Sequence, residues 1–217
     1  MKYFLLLILP ALALAGADHL GFVHSSGSGH GGPTDAVVFD QGYSFAALVN
    51  GFQHIQMADD FILDDDVSIQ NIRMWMIYTG SNPTSYDLAI AEDSGDSDPS
   101  TATTIWSENV PCTHVDTGDD QWGFDIWETT FAISETNAYP ELTAGVRYWL
   151  IFNFTASEYW LVQDPVWGSY AWTGDGTDWW RSDDPTTFDY AADAFFQLYD
   201  TSVALERSTW ANIKTVF

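Results

Sequence analysis

The feature that most constrains this chain is a succession of short apolar runs, each too short for a helix and each closed by turn-forming residues. From Thr34 onward they occupy positions 36–39, 55–63, 68–78, 86–91, 104–110, 122–133, 146–154, 159–163, 170–173 and 194–199. The runs are rich in Val, Ile, Tyr, Phe and Trp, which suit a pleated, half-buried surface. Several alternate with period two: Ile72, Met74, Met76 and Tyr78 share one face, and Arg73, Trp75 and Ile77 take the other. Turn residues separate the runs, among them Asp64 to Asp66, Gly80 to Pro83, Ser94 to Asp96, Thr117 to Asp119 and Gly174 to Gly176. Nothing between them is long enough for the crossover helices that a parallel sheet needs. The expectation is an all-β fold, an antiparallel β-sandwich of jelly-roll-like topology over residues 34–200.

The two ends of the chain read differently. Lys2 precedes an apolar run that Pro10 interrupts, and Ala13-Leu14-Ala15 offers the small-x-small pattern of signal peptidase. Residues 1–15 are therefore expected to be a signal peptide, cleaved after 15 or, at Ala15-Gly16-Ala17, after 17. No later run reaches the roughly 18 apolar residues of a membrane span, so the expected product is exported and soluble. Residues 16–33 form a Gly/Ser/His leader whose composition is that of a linker. His19, His24 and His30 lie in it, and their spacing matches no closed metal site. Residues 201–217 form a short amphipathic tail. Ser208 or Thr209 can cap a helix there, with Trp210, Ile213, Val216 and Phe217 at near-helical spacing.

Charge narrows the partners. Six Lys and Arg stand against 31 Asp and Glu, a formal net charge of −25. Such a field repels nucleic acid and anionic membranes. It favours cations, above all Ca²⁺, whose ligands are carboxylate and carbonyl oxygens; solvated acids in a saline medium are the plain alternative. Asp93, Asp96 and Asp98 crowd one turn, and Asp116, Asp119 and Asp120 another, but neither has the EF-hand pattern. The candidate calcium ligands are Asp59, Asp60 and Asp193, because the first and last core strands of a sandwich are often neighbours. Close carboxylates would repel unless a cation neutralised them; the plain reading is that they cap turns and face water.

Catalytic templates find little support. There is no Gly-x-Ser-x-Gly and no His-Glu-x-x-His. His54 and His114 are the only histidines of the expected folded region, and neither has a catalytic context. Cys112, the single cysteine, leaves no intramolecular disulfide to form; with no placed base to make it a nucleophile, a small buried residue is the expected reading. A glycosidase needs two carboxylates across a cleft, which 31 acids can supply by chance.

The aromatic stretch is more specific. Tyr159, Trp160, Trp167, Tyr170, Trp172, Trp179 and Trp180 are interleaved with Gly and Asp. Indole faces suit the C–H faces of sugars, and carboxylates suit their hydroxyls. Trp167, Trp172, Trp179 and Trp180 are the candidate ligand-binding residues; closing the core is the alternative use of such rings.

A resemblance enters through four segments. Ala58-Asp59-Asp60-Phe61, the strand at 69–78, Leu142-Thr143-Ala144-Gly145-Val146-Arg147-Tyr148-Trp149-Leu150 and Asp193-Ala194-Phe195-Phe196-Gln197-Leu198-Tyr199 occur in an order that resembles bacterial exported β-sandwich proteins of the PEP-CTERM or choice-of-anchor kind. The resemblance spans roughly residues 55–200. It implies a surface or extracellular sandwich and carries no established activity. Residues 208–214 stand where sorted members have an apolar helix with a basic end, so membrane sorting is not implied.

Together these readings favour a secreted, non-enzymatic extracellular or surface module, structural or adhesive, contacting glycan and binding Ca²⁺. The alternatives are a secreted carbohydrate-active enzyme, or a polymer subunit whose leader or tail adds to a neighbour's sheet edge. Asn153 begins a glycosylation sequon inside an expected strand.

Overall fold

In the computed structural model the alternating runs become antiparallel strands. They are β1 (Ala36–Gln41), β2 (Leu48–Phe52), β3 (Gln56–Ile62), β4 (Val67–Ser68), β5 (Asn71–Tyr78), β6 (Ser85–Glu92), β7 (Thr103–Gln121) and β8 (Phe124–Ala132). The second half adds β9 (Glu141–Leu142), β10 (Arg147–Asn153), β11 (Glu158–Gln163), β12 (Trp172–Gly174), β13 (Trp179–Arg181), β14 (Asp193–Ala194) and β15 (Phe196–Asp200). The structure describes residues 36–52, 55–154, 158–164, 170–185 and 188–200, all within a unit spanning 33–217. The signal peptide, the leader, Trp167 and the tail with its expected helix lie outside the described residues.

The strands form two layers joined by β7. The first layer runs β1, β15, β5, β8 and the second half of β7; β11 continues along β5 beyond β15, with β2 on its far side. The second layer runs from the first half of β7 through β6, β10, β3, β12 and β13. The handover falls at one peptide: Pro111 pairs with Ser85 of β6, and Cys112 pairs with Phe131 of β8. A proline has no N–H for a ladder, so it fits where a strand leaves one sheet for the next. The short pair β4–β9 stands apart.

Period-two alternation then fills the space between the layers. Met57, Phe61, Leu88, Ile90, Leu150 and Phe152 come from the second layer; Ile72, Met74, Met76, Trp160, Phe196 and Leu198 come from the first. Ring contacts bridge them: Phe61 meets Phe196 at 6.0 Å and Phe152 meets Trp160 at 6.1 Å. Each fully buried side chain of this size contributes about 1.5–3 kcal/mol. The outer face of the first layer is covered too. Tyr43 stacks on Trp75 at 5.8 Å, meets Phe195 edge-on, and donates its hydroxyl hydrogen to Asp119 Oδ2 at 3.1 Å.

The all-β antiparallel architecture is as expected, with differences in detail. The sequence Thr117-Gly118-Asp119 is not a turn but an irregularity in the β7–β8 ladder between Asp116 and Asp120. Gly118 takes a φ of 80°, as a bulge in a polar, solvent-facing strand allows. The hairpin turn is instead Trp122-Gly123, both at positive φ, the requirement of a two-residue turn between twisted strands.

Candidate functional site

The outer face of the second layer carries a cluster of small apolar residues and tryptophans. Ala58, Ala91 and Trp149 are buried there, with Ile151, Ala102, Trp172 and Trp179 packed against them. Trp149 meets Trp172 edge-on at 6.4 Å and donates its indole N–H to Asp93 Oδ1 at 3.1 Å. Trp172 pairs with Ala58 and with Arg181, so all three share this face. Trp179 pairs with Gly174, and its ring lies directly over that glycine: a Cβ on Gly174 would stand 3.0 Å from indole carbons. Trp172 and Trp179 are both half-buried and both pack against this cluster on the outer face. Trp180 alternates to the opposite face, opposite Thr173.

Next to these rings a polar row crosses the sheet. Gly174 pairs with Gln56, Gln56 with Asn153, and Asp87 with Asn109. The β6–β10 register, which pairs Leu88 with Phe152, brings Asp87 opposite Asn153. Hydrogen bonds confirm the row. Gln56 Nε2 donates to Asn153 Oδ1 at 2.6 Å, Asn153 Nδ2 to the Asp87 carbonyl at 3.2 Å, and Asn109 Nδ2 to Asp87 Oδ1 at 2.8 Å. A parallel apolar row, Trp172, Ala58, Ile151 and Ala89, lies two residues along each strand and so on the same face. Sequence reading found Trp172 and Trp179 but missed Gln56, Asp87 and Asn109, and noticed Asn153 only as a sequon. No local signal marks them, because register alone aligns positions that far apart.

The three carboxylates expected to hold calcium are only partly brought together. Asp59 points into the core, where its Oδ2 accepts from the Ala194 N–H at 2.6 Å and its Oδ1 from the Asp60 N–H at 3.0 Å. Asp193, beside Ala194, is 1% exposed. Burial raises the Asp59 carboxyl well above the usual range, and the charges of Asp193 and Asp60 add to this. Asp60, the next residue on the strand, lies toward the other side, with its Oδ2 3.4 Å from Arg147 Nε. Burial pushes it up to about 6, with Arg147 pulling down and Asp193 pushing up. Among the described residues, no three His, Cys, Asp or Glu side chains are grouped where they could hold a metal ion.

Asp60 and Arg147 also border a cavity of about 470 Å³, lined further by Phe39, Asp40, Phe61 and Asp64. Elsewhere, Cys112 Sγ lies 3.6 Å from His114 Nε2, which is closer to the Pro83 carbonyl, at 2.7 Å. Burial pushes the Cys112 thiol up to about 11, so it is protonated at neutral pH, whereas nucleophilic chemistry needs the thiolate.

No protein-family model matches this chain, and neither does any curated protein or solved structure. The four segments behind the resemblance to exported sandwiches lie on β3, β5, β9–β10 and β14–β15, the strands that build the core. Among the described residues no helix is long and apolar enough to cross a membrane.

Proposed function

We propose that this chain is an exported, non-enzymatic β-sandwich module that binds glycan on the outer face of its second layer, in a structural or adhesive role at a cell surface. The observation that carries the reading is the row of hydrogen-bonding side chains Gln56, Asn153, Asp87 and Asn109 beside the walls of Trp172 and Trp179. A sugar ring has an apolar C–H face and an edge of hydroxyls. An indole wall next to amides and a carboxylate offers a partner to each. The amides are already held by one another, so little side-chain freedom is lost on binding. The test is retention of the protein on immobilised polysaccharides. Wild type should be retarded, and Trp179→Ala should elute with the void while melting normally; equal retention of both would remove the reading.

A second reading has its own observation. The cavity bordered by Asp60, titrating near 6, and Arg147 has the dimensions and charge of a small-molecule or catalytic site. A carbohydrate-active enzyme would use Asp60 as its acid. Release of reducing sugar by wild type and not by Asp60→Asn would favour the enzyme; binding without release favours the module.

A further inference from the structure

Resting on the glycan-binding reading, we infer that the ligand is a neutral, linear oligosaccharide or polysaccharide lying across the strands, with roughly one sugar ring over each. Three features of the face set this. First, the row from Trp179 through Gly174, Gln56, Asn153 and Asp87 to Asn109 takes one residue from each of six adjacent strands. Neighbouring strands are about 4.8 Å apart, close to the advance of one ring in an extended glycan, so the five intervals match about four or five rings.

Second, the polar row and the apolar row of Trp172, Ala58, Ile151 and Ala89 run side by side. A chain along their boundary sets its hydroxyl edges on the amides and its C–H faces on the apolar strip. Ala58 is fully buried in the cluster against which Trp172 and Trp179 pack, so the apolar surface that the chain meets is formed by Trp172, Ile151 and Ala89. Each amide and the Asp87 carboxylate spends only part of its capacity on its neighbour, leaving acceptors and donors for hydroxyls.

Third, the charge excludes acidic chains. Asp87 sits in the row and is exposed, and the molecule carries a formal −25. Arg181, at the end of the apolar row, is engaged by Asp183 through two hydrogen bonds of 2.6 and 2.8 Å. A uronate or sulfated chain would meet repulsion along its length, whereas hydroxyls donate to Asp87.

The experiment uses soluble neutral β-glucan, xylan and galactomannan and, as the acidic arm, polygalacturonate. Oligosaccharides of two to six units from the neutral polymer that binds are then titrated by calorimetry. Affinity should rise with each unit up to about four or five and then level. Asn109→Ala, at the far end from the tryptophans, should weaken the longest oligosaccharide about 2- to 10-fold and leave the disaccharide unchanged. Affinity that is flat from two units onward, or an Asn109→Ala variant equal to wild type on every length, overturns the linear placement while leaving the site intact. Polygalacturonate binding as tight as neutral glycan overturns the neutrality. No binding by any neutral polymer overturns the underlying reading and this inference with it.

Discussion

Asp59 Oδ2 and the backbone N–H of Ala194 form a hydrogen bond of 2.6 Å that ties the second layer to the first across a buried core. The same carboxyl receives the Asp60 N–H through its other oxygen. Asp59→Ala would leave two N–H groups without acceptors, at about 1–3 kcal/mol each in the worst case. Asp59→Asn keeps the shape and one oxygen, and should lose clearly less. Urea unfolding of the two variants measures this; equal losses would mean that the bond to Ala194 contributes nothing beyond volume.

The same carboxyl sets a pH dependence. Burial raises Asp59 well above the usual carboxylate range, and burial pushes Asp60 up to about 6 against the pull of Arg147, with Asp193 and Asp93 acting upward. Groups raised in this way bind more protons folded than unfolded. Their stabilising contribution is complete below the unfolded value and is lost as pH rises through the folded one. For Asp60 that window runs from about 4 to about 6. Melting temperature should therefore fall as pH rises across this window, with a shallower fall in Asp60→Asn. A melting temperature that climbs with pH in the wild type would refute the assignment.

Calcium gives an independent check. Asp59 accepts an N–H at each oxygen and Asp60 faces Arg147, an arrangement in which protonation can relieve the crowding of these acids without an ion. Melting curves in millimolar Ca²⁺ and in chelator, at constant ionic strength, should coincide, since an ion that binds only the folded state would raise the melting temperature. A calcium-dependent rise that disappears in Asp60→Ala would establish the ion site at Asp59, Asp60 and Asp193 after all.

The aromatic residues divide by face. Trp160 is 0% exposed and donates its indole N–H to the Phe195 carbonyl at 2.9 Å, so Trp160→Ala should cost about 3–5 kcal/mol. Trp179 lies over Gly174 at the rim of the second layer. Trp179→Ala should cost under about 1.5 kcal/mol, and Gly174→Ala should push the ring away and weaken glycan binding with little loss of stability. Chemical denaturation separates the two classes.

How much of this was legible in the sequence depended on the range of the signal. Alternation in β5 and β10 is local, so the strands and the sandwich could be read directly. Strand β2 could not, because Leu48–Phe52 contains Asn50 and Gly51 and has no clean alternation. The second half of β7 was hidden by its Asp and Gly residues, which read as a turn although the partner strand β8 holds them in a ladder. Trp172 and Trp179 were conspicuous by composition. Gln56, Asp87 and Asn109 were not, because amides and carboxylates on an exposed strand look like ordinary solvated positions until register aligns them.

The most direct test compares glycan titrations, followed by tryptophan fluorescence, for three proteins: wild type, the Trp172→Ala/Trp179→Ala double variant and Trp122→Ala. Trp122 is 52% exposed at the β7–β8 turn of the first layer, so it controls for any accessible indole. Binding should survive in Trp122→Ala and drop by at least about 10-fold in the double variant, a loss of about 1.4 kcal/mol or more, with both variants folded. Binding that survives in the double variant and disappears in Trp122→Ala would contradict the assignment of the site to the second layer.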